Sequence, residues 1–180
     1  KGAGALYVRR GVRLETLVDG GHQQKGRRAG TENVPALVAM GVAANLAIEA
    51  IARGDEARVA ALRERLISGI EKGVEGAFLN GHRTARVPGI ANFSFEGIEG
   101  EGLILELDAK SGICASTGSA CAAGSLDPSP VLLAIGREIG LARAGTRFSL
   151  GRGTTEAEVD ELLRVLPQVL ESLRVLSPEN

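Results

Sequence analysis

The chain has 180 residues, 44% of them hydrophobic and 24% charged, with a formal net charge of −1. That length can bury an ordinary core without disulfide or metal staples, and the scattered basic residues form no stripe for nucleic acid and nothing that calls for a membrane surface. Two cysteines and two histidines, badly spaced as ligands, exclude a zinc motif and fit reduced thiols in the cytoplasm.

Taken in order, the chain starts at Lys1 and runs into the glycine-rich turn and strand-like stretch Gly2-Ala3-Gly4-Ala5-Leu6-Tyr7-Val8-Arg9, which suggests that sequence belongs upstream. No signal peptide, long apolar span or internal repeat is expected. Residues 11–33 are poor in apolar side chains and rich in Gly, Gln, Arg and Thr, so they read as a polar loop longer than a connection requires, and such loops usually serve function. From Pro35 a nearly continuous small and aliphatic run through Ile48 predicts a well-buried helix, with Asn33 as its N-cap and Gly54 interrupting it. A second helix over about 55–72 carries Val59, Leu62, Leu66 and Ile70 on one face with Arg and Glu opposite, and Gly73 marks its end.

A domain boundary is placed near residue 75, where the style changes to short apolar runs between turns. Strands are expected at Ile90–Phe95, Gly112–Ala115 and Thr146–Leu150, with helices over Glu101–Leu107 and from Pro130 through Ile135. The last helix begins with a capping box, Thr155 with Glu158, and turns Val159, Leu162, Leu163, Leu166, Leu170 and Leu173 inward; Pro167 should kink it. Three strands interleaved with helices make an α/β or α+β unit over 76–180.

The chemistry centres on Cys121, which lies among Gly, Ser and Ala rather than branched aliphatic neighbours. A thiol so placed is available as a nucleophile, and a thiolate is the strongest side-chain nucleophile near neutral pH. Cys114, between Ile113 and Ala115, reads instead as a buried packing residue, with a disulfide to Cys121 as the lesser alternative. Gly30-Thr31-Glu32-Asn33, after Arg27-Arg28, could hold a phosphate or carboxylate, or could simply cap the helix that follows. Arg147 is either a rigid carboxylate clamp on a strand or a charge on an exposed strand edge. Gly151-Arg152-Gly153-Thr154-Thr155 lacks the ending of a P-loop, and helix capping explains it. His82 reads as solvated or locally bonded; His22 lies in the polar loop.

Several of these segments, in this order, resemble the pyridoxal-phosphate-dependent cysteine desulfurases of the nitrogenase-associated and general iron–sulfur-cluster branch. They are Lys1-Gly2-Ala3-Gly4-Ala5-Leu6-Tyr7, Gly20-Gly21-His22-Gln23-Gln24 through Asn33, Ser116-Thr117-Gly118-Ser119-Ala120-Cys121, Leu126-Asp127-Pro128-Ser129 and Arg147-Phe148-Ser149-Leu150-Gly151-Arg152. The resemblance implies an α/β, fold-type-I pyridoxal-phosphate enzyme, with residues 1–75 as the end of its large domain plus a connecting helix, and 76–180 as its small C-terminal domain. It implies L-cysteine as substrate and pyridoxal 5'-phosphate as cofactor. Cys121 would be the catalytic nucleophile that becomes a persulfide, and Arg147 would bind the substrate carboxylate. Thr31 would reach the cofactor phosphate of the other subunit of a homodimer.

The same resemblance implies a sulfur acceptor or iron–sulfur scaffold as partner, no direct nucleic-acid or membrane contact, and no metal ligand in this chain. Two departures stand out. The family's Schiff-base lysine lies a few residues before the segment that opens at Lys1, so this chain is expected to be a C-terminal half that cannot turn over cysteine alone. Gln24 stands where glutamate is common. A selenocysteine lyase is the rival enzyme, and a non-catalytic module that docks a sulfur acceptor is the rival outside enzymes.

Overall fold

The computed structural model describes residues 2–117 and 127–176. By its own contacts the chain divides into two units, residues 1–53 and 54–180.

The first unit is irregular to residue 22, makes a single turn α1 (Gln23–Gly26), and ends in the long helix α2 (Val34–Arg53). Asn33 caps α2 as its pattern predicts, its Oδ1 accepting from the Ala36 amide at 3.2 Å. The helix itself departs from expectation, because no residue of α2 is buried. Val34, Val38, Val42 and Leu46, spaced by four, form an exposed apolar stripe, joined by Ile48 and Ile51. Composition reports that a helix needs apolar cover and not what supplies it; the rest of the first unit does not. By length and composition alone α2 could cross a membrane, which corrects the expectation that the chain holds no long apolar span.

The second unit follows Gly54 with α3 (Asp55–Gly73), β1 (Ala77–Leu79), β2 (Ile90–Phe95), α4 (Gly100–Ser111), β3 (Ser116–Thr117), α5 (Pro130–Ala134), α6 (Ile139–Arg143), β4 (Gly145–Ser149) and α7 (Glu156–Leu176). Its strands form one antiparallel sheet in the order β1-β2-β4-β3. Alternation along β2 sends Ala91, Phe93 and Phe95 to one face, where Phe148 of β4 joins them. Against that face pack Leu66, Ile67 and Ile70 of α3, Leu103 and Leu107 of α4, and Leu166, Val169 and Leu170 of α7. The Phe93 and Phe95 rings stack with centroids 6.0 Å apart, and the side chains named here are buried almost completely.

The expected inward faces of α3 and α7 hold, and the Thr155–Glu158 box closes reciprocally: Thr155 N donates to Glu158 Oε2 at 2.7 Å and Glu158 N to Thr155 Oγ1 at 3.3 Å. Pro167 sits inside α7, which runs on to Leu176; buried Val165, Leu166, Val169 and Leu170 flank it and hold both halves on the core. Two expectations fail. The third strand starts at Ser116, not Gly112, because Gly112 ends α4 in a left-handed conformation (φ 66°) that favours glycine. The extended residues after it point Ile113 and Ala115 toward the core. Cys114 is therefore turned outward, exposed and free, with its Sγ 4.0 Å from Asp108 Oδ1, which overturns its reading as a buried packing residue. The short elements β1 and α6 were not foreseen.

Candidate active site

Cys121, the expected nucleophile, lies outside the described residues. The other expected site residues, Thr31 and Arg147, fall in different units, so each is built from its own surroundings.

In the first unit, Gln24 and Lys25 both take positive φ (50° and 61°), a conformation uncommon for side-chain-bearing residues and often found where a loop serves a ligand. The turn they make is tied down by Thr16 Oγ1 donating to Gly26 O at 3.0 Å and by Gln24 Nε2 reaching Glu32 Oε2 at 3.4 Å. A cavity of about 1120 Å³ opens here, with Tyr7, Gln24, Arg27, Arg28, Thr31 and Asn33 among its lining. Capping was one of two readings for both Thr31 and Asn33, and the structure separates them. Asn33 is engaged as the cap of α2, whereas Thr31 is exposed and its hydroxyl has no partner among the described residues. The wall thus offers a hydroxyl and two guanidinium groups as donors for an anion, with the carboxylates of Glu15 and Glu32 in the same lining.

In the second unit, Arg147 is on β4, and β4 runs between β2 and β3. It is not on a sheet edge, so the exposed-edge reading is removed. Its Nε is buried and has no hydrogen-bond partner among the described residues, which is costly for a charged donor. Arg147 pairs across the ladder with Asn92 on β2 and Ser116 on β3, on the face away from the aromatic core. A donor-only guanidinium held on an interior strand with an orphaned nitrogen is poised for an acceptor that the described residues of the second unit do not provide.

The neighbouring groups are structural. The 151–155 loop ends in the expected cap at Thr155; in addition Arg58 donates to the carbonyls of Thr154 and Arg152, and Gly151 N donates to Thr154 Oγ1. His82 Nδ1 accepts from the amides of Thr84 and Ala85, confirming local bonding. His22 is exposed at the head of α1 and makes no side-chain cap. Arg63 went unforeseen: it is buried, donating to Val87 O at 2.7 Å and to Glu64, and it pins the 80–89 loop. Its place on the apolar face of α3, next to Leu62 and Leu66, was the available signal. Hydrogen bonding from Arg83 holds the Glu64 carboxyl below its ordinary range against the opposing effect of burial, with Arg63 assisting.

Comparison with known proteins gives the chain's relatives. Residues 1–162 match the family model for aminotransferase class-V. Cysteine desulfurase 2 of Trichormus variabilis is 51% identical over 178 residues, covering 99% of this chain and 44% of the relative. Cysteine desulfurase NifS of Azotobacter vinelandii is 47% identical over 178 residues, again 99% of this chain and 44% of the relative. Among solved structures, a NifS-like protein superposes with a TM-score of 0.80 at 32% identity, covering 93% of this chain and 42% of that one. The chain spans less than half the length of the curated relatives it matches.

Proposed function

This chain belongs to the aminotransferase class-V family, and from that premise we propose that the complete protein is a pyridoxal-phosphate-dependent cysteine desulfurase. The observation that carries the reading is identity of about half the residues to proteins named cysteine desulfurase, sustained over 99% of the chain. The two pieces of site geometry support it. Arg147, with its orphaned Nε on an interior strand, takes the carboxylate of L-cysteine in a forked contact that fixes the amino acid's orientation. Thr31, with its uncommitted hydroxyl near Arg27 and Arg28, takes the cofactor phosphate of the other subunit in a homodimer.

The residues present fit the cofactor at that end only. Lys25, Lys72 and Lys110 are exposed, and Lys110 is paired with Glu106 at 2.8 Å, so none is a buried amine suited to the covalent anchor. When bound, pyridoxal phosphate supplies an electron sink that labilises bonds at the substrate's α and β carbons. The work of this chain is orientation and nucleophilic attack. The Cys121 thiolate attacks the sulfur of the bound cysteine; the new S–S bond forms as the C–S bond breaks, and the carbon keeps the electron pair and gains a proton to become the methyl group of alanine. Cysteine plus the enzyme thiol thus give alanine plus an enzyme persulfide, which an acceptor protein then collects for iron–sulfur assembly or thiolation. Residues 1–75 belong in this reading to the large domain and its connecting helix, 76–180 to the small domain, and the enzyme is cytoplasmic.

The test is alanine production from L-cysteine by the complete protein with pyridoxal phosphate, wild type against Cys121→Ala. Loss of turnover by at least about a thousandfold in the variant is expected, since removing the nucleophile removes the covalent route. Turnover that survives would assign the protein to the plain lyases instead.

A further inference from the structure

One row of polar residues crosses the sheet of the second unit. Asn92 pairs with Arg147 on one side, Arg147 pairs with Ser116 beyond it, and Asn80, just past β1, continues the ladder on the other side by donating its amide to Asn92 O at 2.8 Å. All four stand on the face away from the aromatic core, since the neighbours Ala91, Phe93 and Phe148 point into it. The hydrogen bonds in this row run in one direction. Arg137 Nε donates to Asn80 Oδ1 at 2.6 Å, and its Nη2 donates to Leu79 O at 2.7 Å. Because a guanidinium can only donate, the oxygen of the Asn80 amide must face Arg137. The Asn80 NH₂ then serves two acceptors, Asn92 Oδ1 at 2.7 Å and Ser94 Oγ at 2.9 Å. With Asn80 95% buried, that orientation is enforced.

The consequence falls on Asn92. The bond from Asn80 turns its oxygen toward Asn80 with one lone pair left, and its two N–H donors have no partner among the described residues, beside an Arg147 whose Nε also has none. Two donors side by side cannot satisfy each other, and together they call for one acceptor with several lone pairs. We propose that Asn92 is a second donor to the carboxylate of the bound amino acid, next to Arg147, and that Arg137 and Asn80 are positioning residues that lock the Asn92 amide with its NH₂ group outward. The inference rests on the amino-acid-binding part of the proposed function and not on the sulfur chemistry.

The experiment is calorimetric binding of L-alanine and of L-alaninamide to the complete, cofactor-loaded enzyme, with L-cysteine turnover measured in parallel. Wild type should prefer the carboxylate ligand. Asn92→Ala should weaken L-alanine by about 10- to 100-fold, as expected for a hydrogen bond to a charged group, while leaving L-alaninamide nearly unchanged. Turnover should show the loss in KM with kcat little altered. Asn80→Asp keeps the shape and the bond from Arg137 but removes the donor to Asn92, so the Asn92 amide is free to rotate and a smaller loss of the same selectivity is expected. Equal weakening of both ligands in Asn92→Ala, or unchanged binding of both, would overturn the proposal, as would a wild type with no preference for the carboxylate. A selective loss in an enzyme that makes no alanine from cysteine would support the role of Asn92 and sink the desulfurase reading instead.

Discussion

Arg147 shows why residue chemistry has to be judged together with its place in the sheet. A guanidinium on an edge strand is solvated and contributes little, whereas one on an interior strand whose buried Nε has no partner among the described residues is desolvated without compensation from them. That imbalance is tolerable if a carboxylate completes the set during turnover. Arg147→Lys keeps the charge but loses the fork, and a point charge does not replace a bidentate contact. In the complete enzyme we expect KM for L-cysteine to rise by about 10- to 100-fold with a smaller change in kcat; steady-state kinetics at saturating cofactor measure it, and an unchanged KM would remove Arg147 from the substrate site. The sequence left the clamp and edge readings of Arg147 both open, because strand order is a long-range property that a local window does not contain. Thr31 was ambiguous for a related reason: a hydroxyl before a helix is a cap or a ligand, and only the engagement of Asn33 with the Ala36 amide tells which residue does the capping.

At the scale of elements, patterns that close within a few residues were legible, and those that depend on a distant partner were not. The α7 capping box was readable because Thr155 and Glu158 satisfy each other. It also sets a pH dependence. Hydrogen bonds from the Thr155 amide, and then from its hydroxyl, hold the Glu158 carboxyl below its ordinary value of 4.5. A carboxyl depressed in the folded state stabilises it fully above the unfolded value and loses that contribution as pH falls through the lower folded value. Glu158→Gln should therefore lower the thermal midpoint near neutral pH and flatten its decline below about pH 4.5, whereas parallel curves for variant and wild type would contradict the assignment. The Cys114 segment was misread because its chain neighbours were taken as its surroundings: successive side chains of extended backbone face opposite sides, so Ile113 and Ala115 packed inward leave Cys114 outward. The joint between β2 and β4 lies beyond sequence patterns altogether. Leu150 N donates to Gly89 O at 2.7 Å, and a Cβ at Gly89 would collide with the Leu150 carbonyl oxygen. Gly89→Ala should cost about 1–3 kcal/mol in denaturant unfolding, because backbone rather than a side-chain tip must yield.

The whole molecule carries its clearest signal in what each unit does for itself. The second unit encloses a complete core, with aromatic residues of β2 against three helices, so its folding was largely predictable from periodicity. The first unit encloses almost none: Ala29 is its one buried hydrophobic among the described residues, and α2 displays its apolar stripe. A helix of that composition in a family whose named relatives are more than twice as long belongs, in the proposed reading, to the large domain that those relatives complete. In the same proposed reading the catalytic apparatus divides likewise: this chain brings the carboxylate clamp, the thiol and one phosphate contact, but its described lysines are exposed and one is committed to an ion pair. A cofactor held only through its phosphate has neither covalent attachment nor a fixed ring plane, and both are needed before orientation can accelerate the reaction. We therefore expect the 180-residue chain, supplied with pyridoxal phosphate and L-cysteine, to produce neither alanine nor sulfide above the cofactor-only background. Alanine formed in stoichiometric excess over this chain would contradict that expectation. It would place the functional amine among Lys1, Lys25, Lys72 and Lys110, where single Lys→Ala variants would identify it.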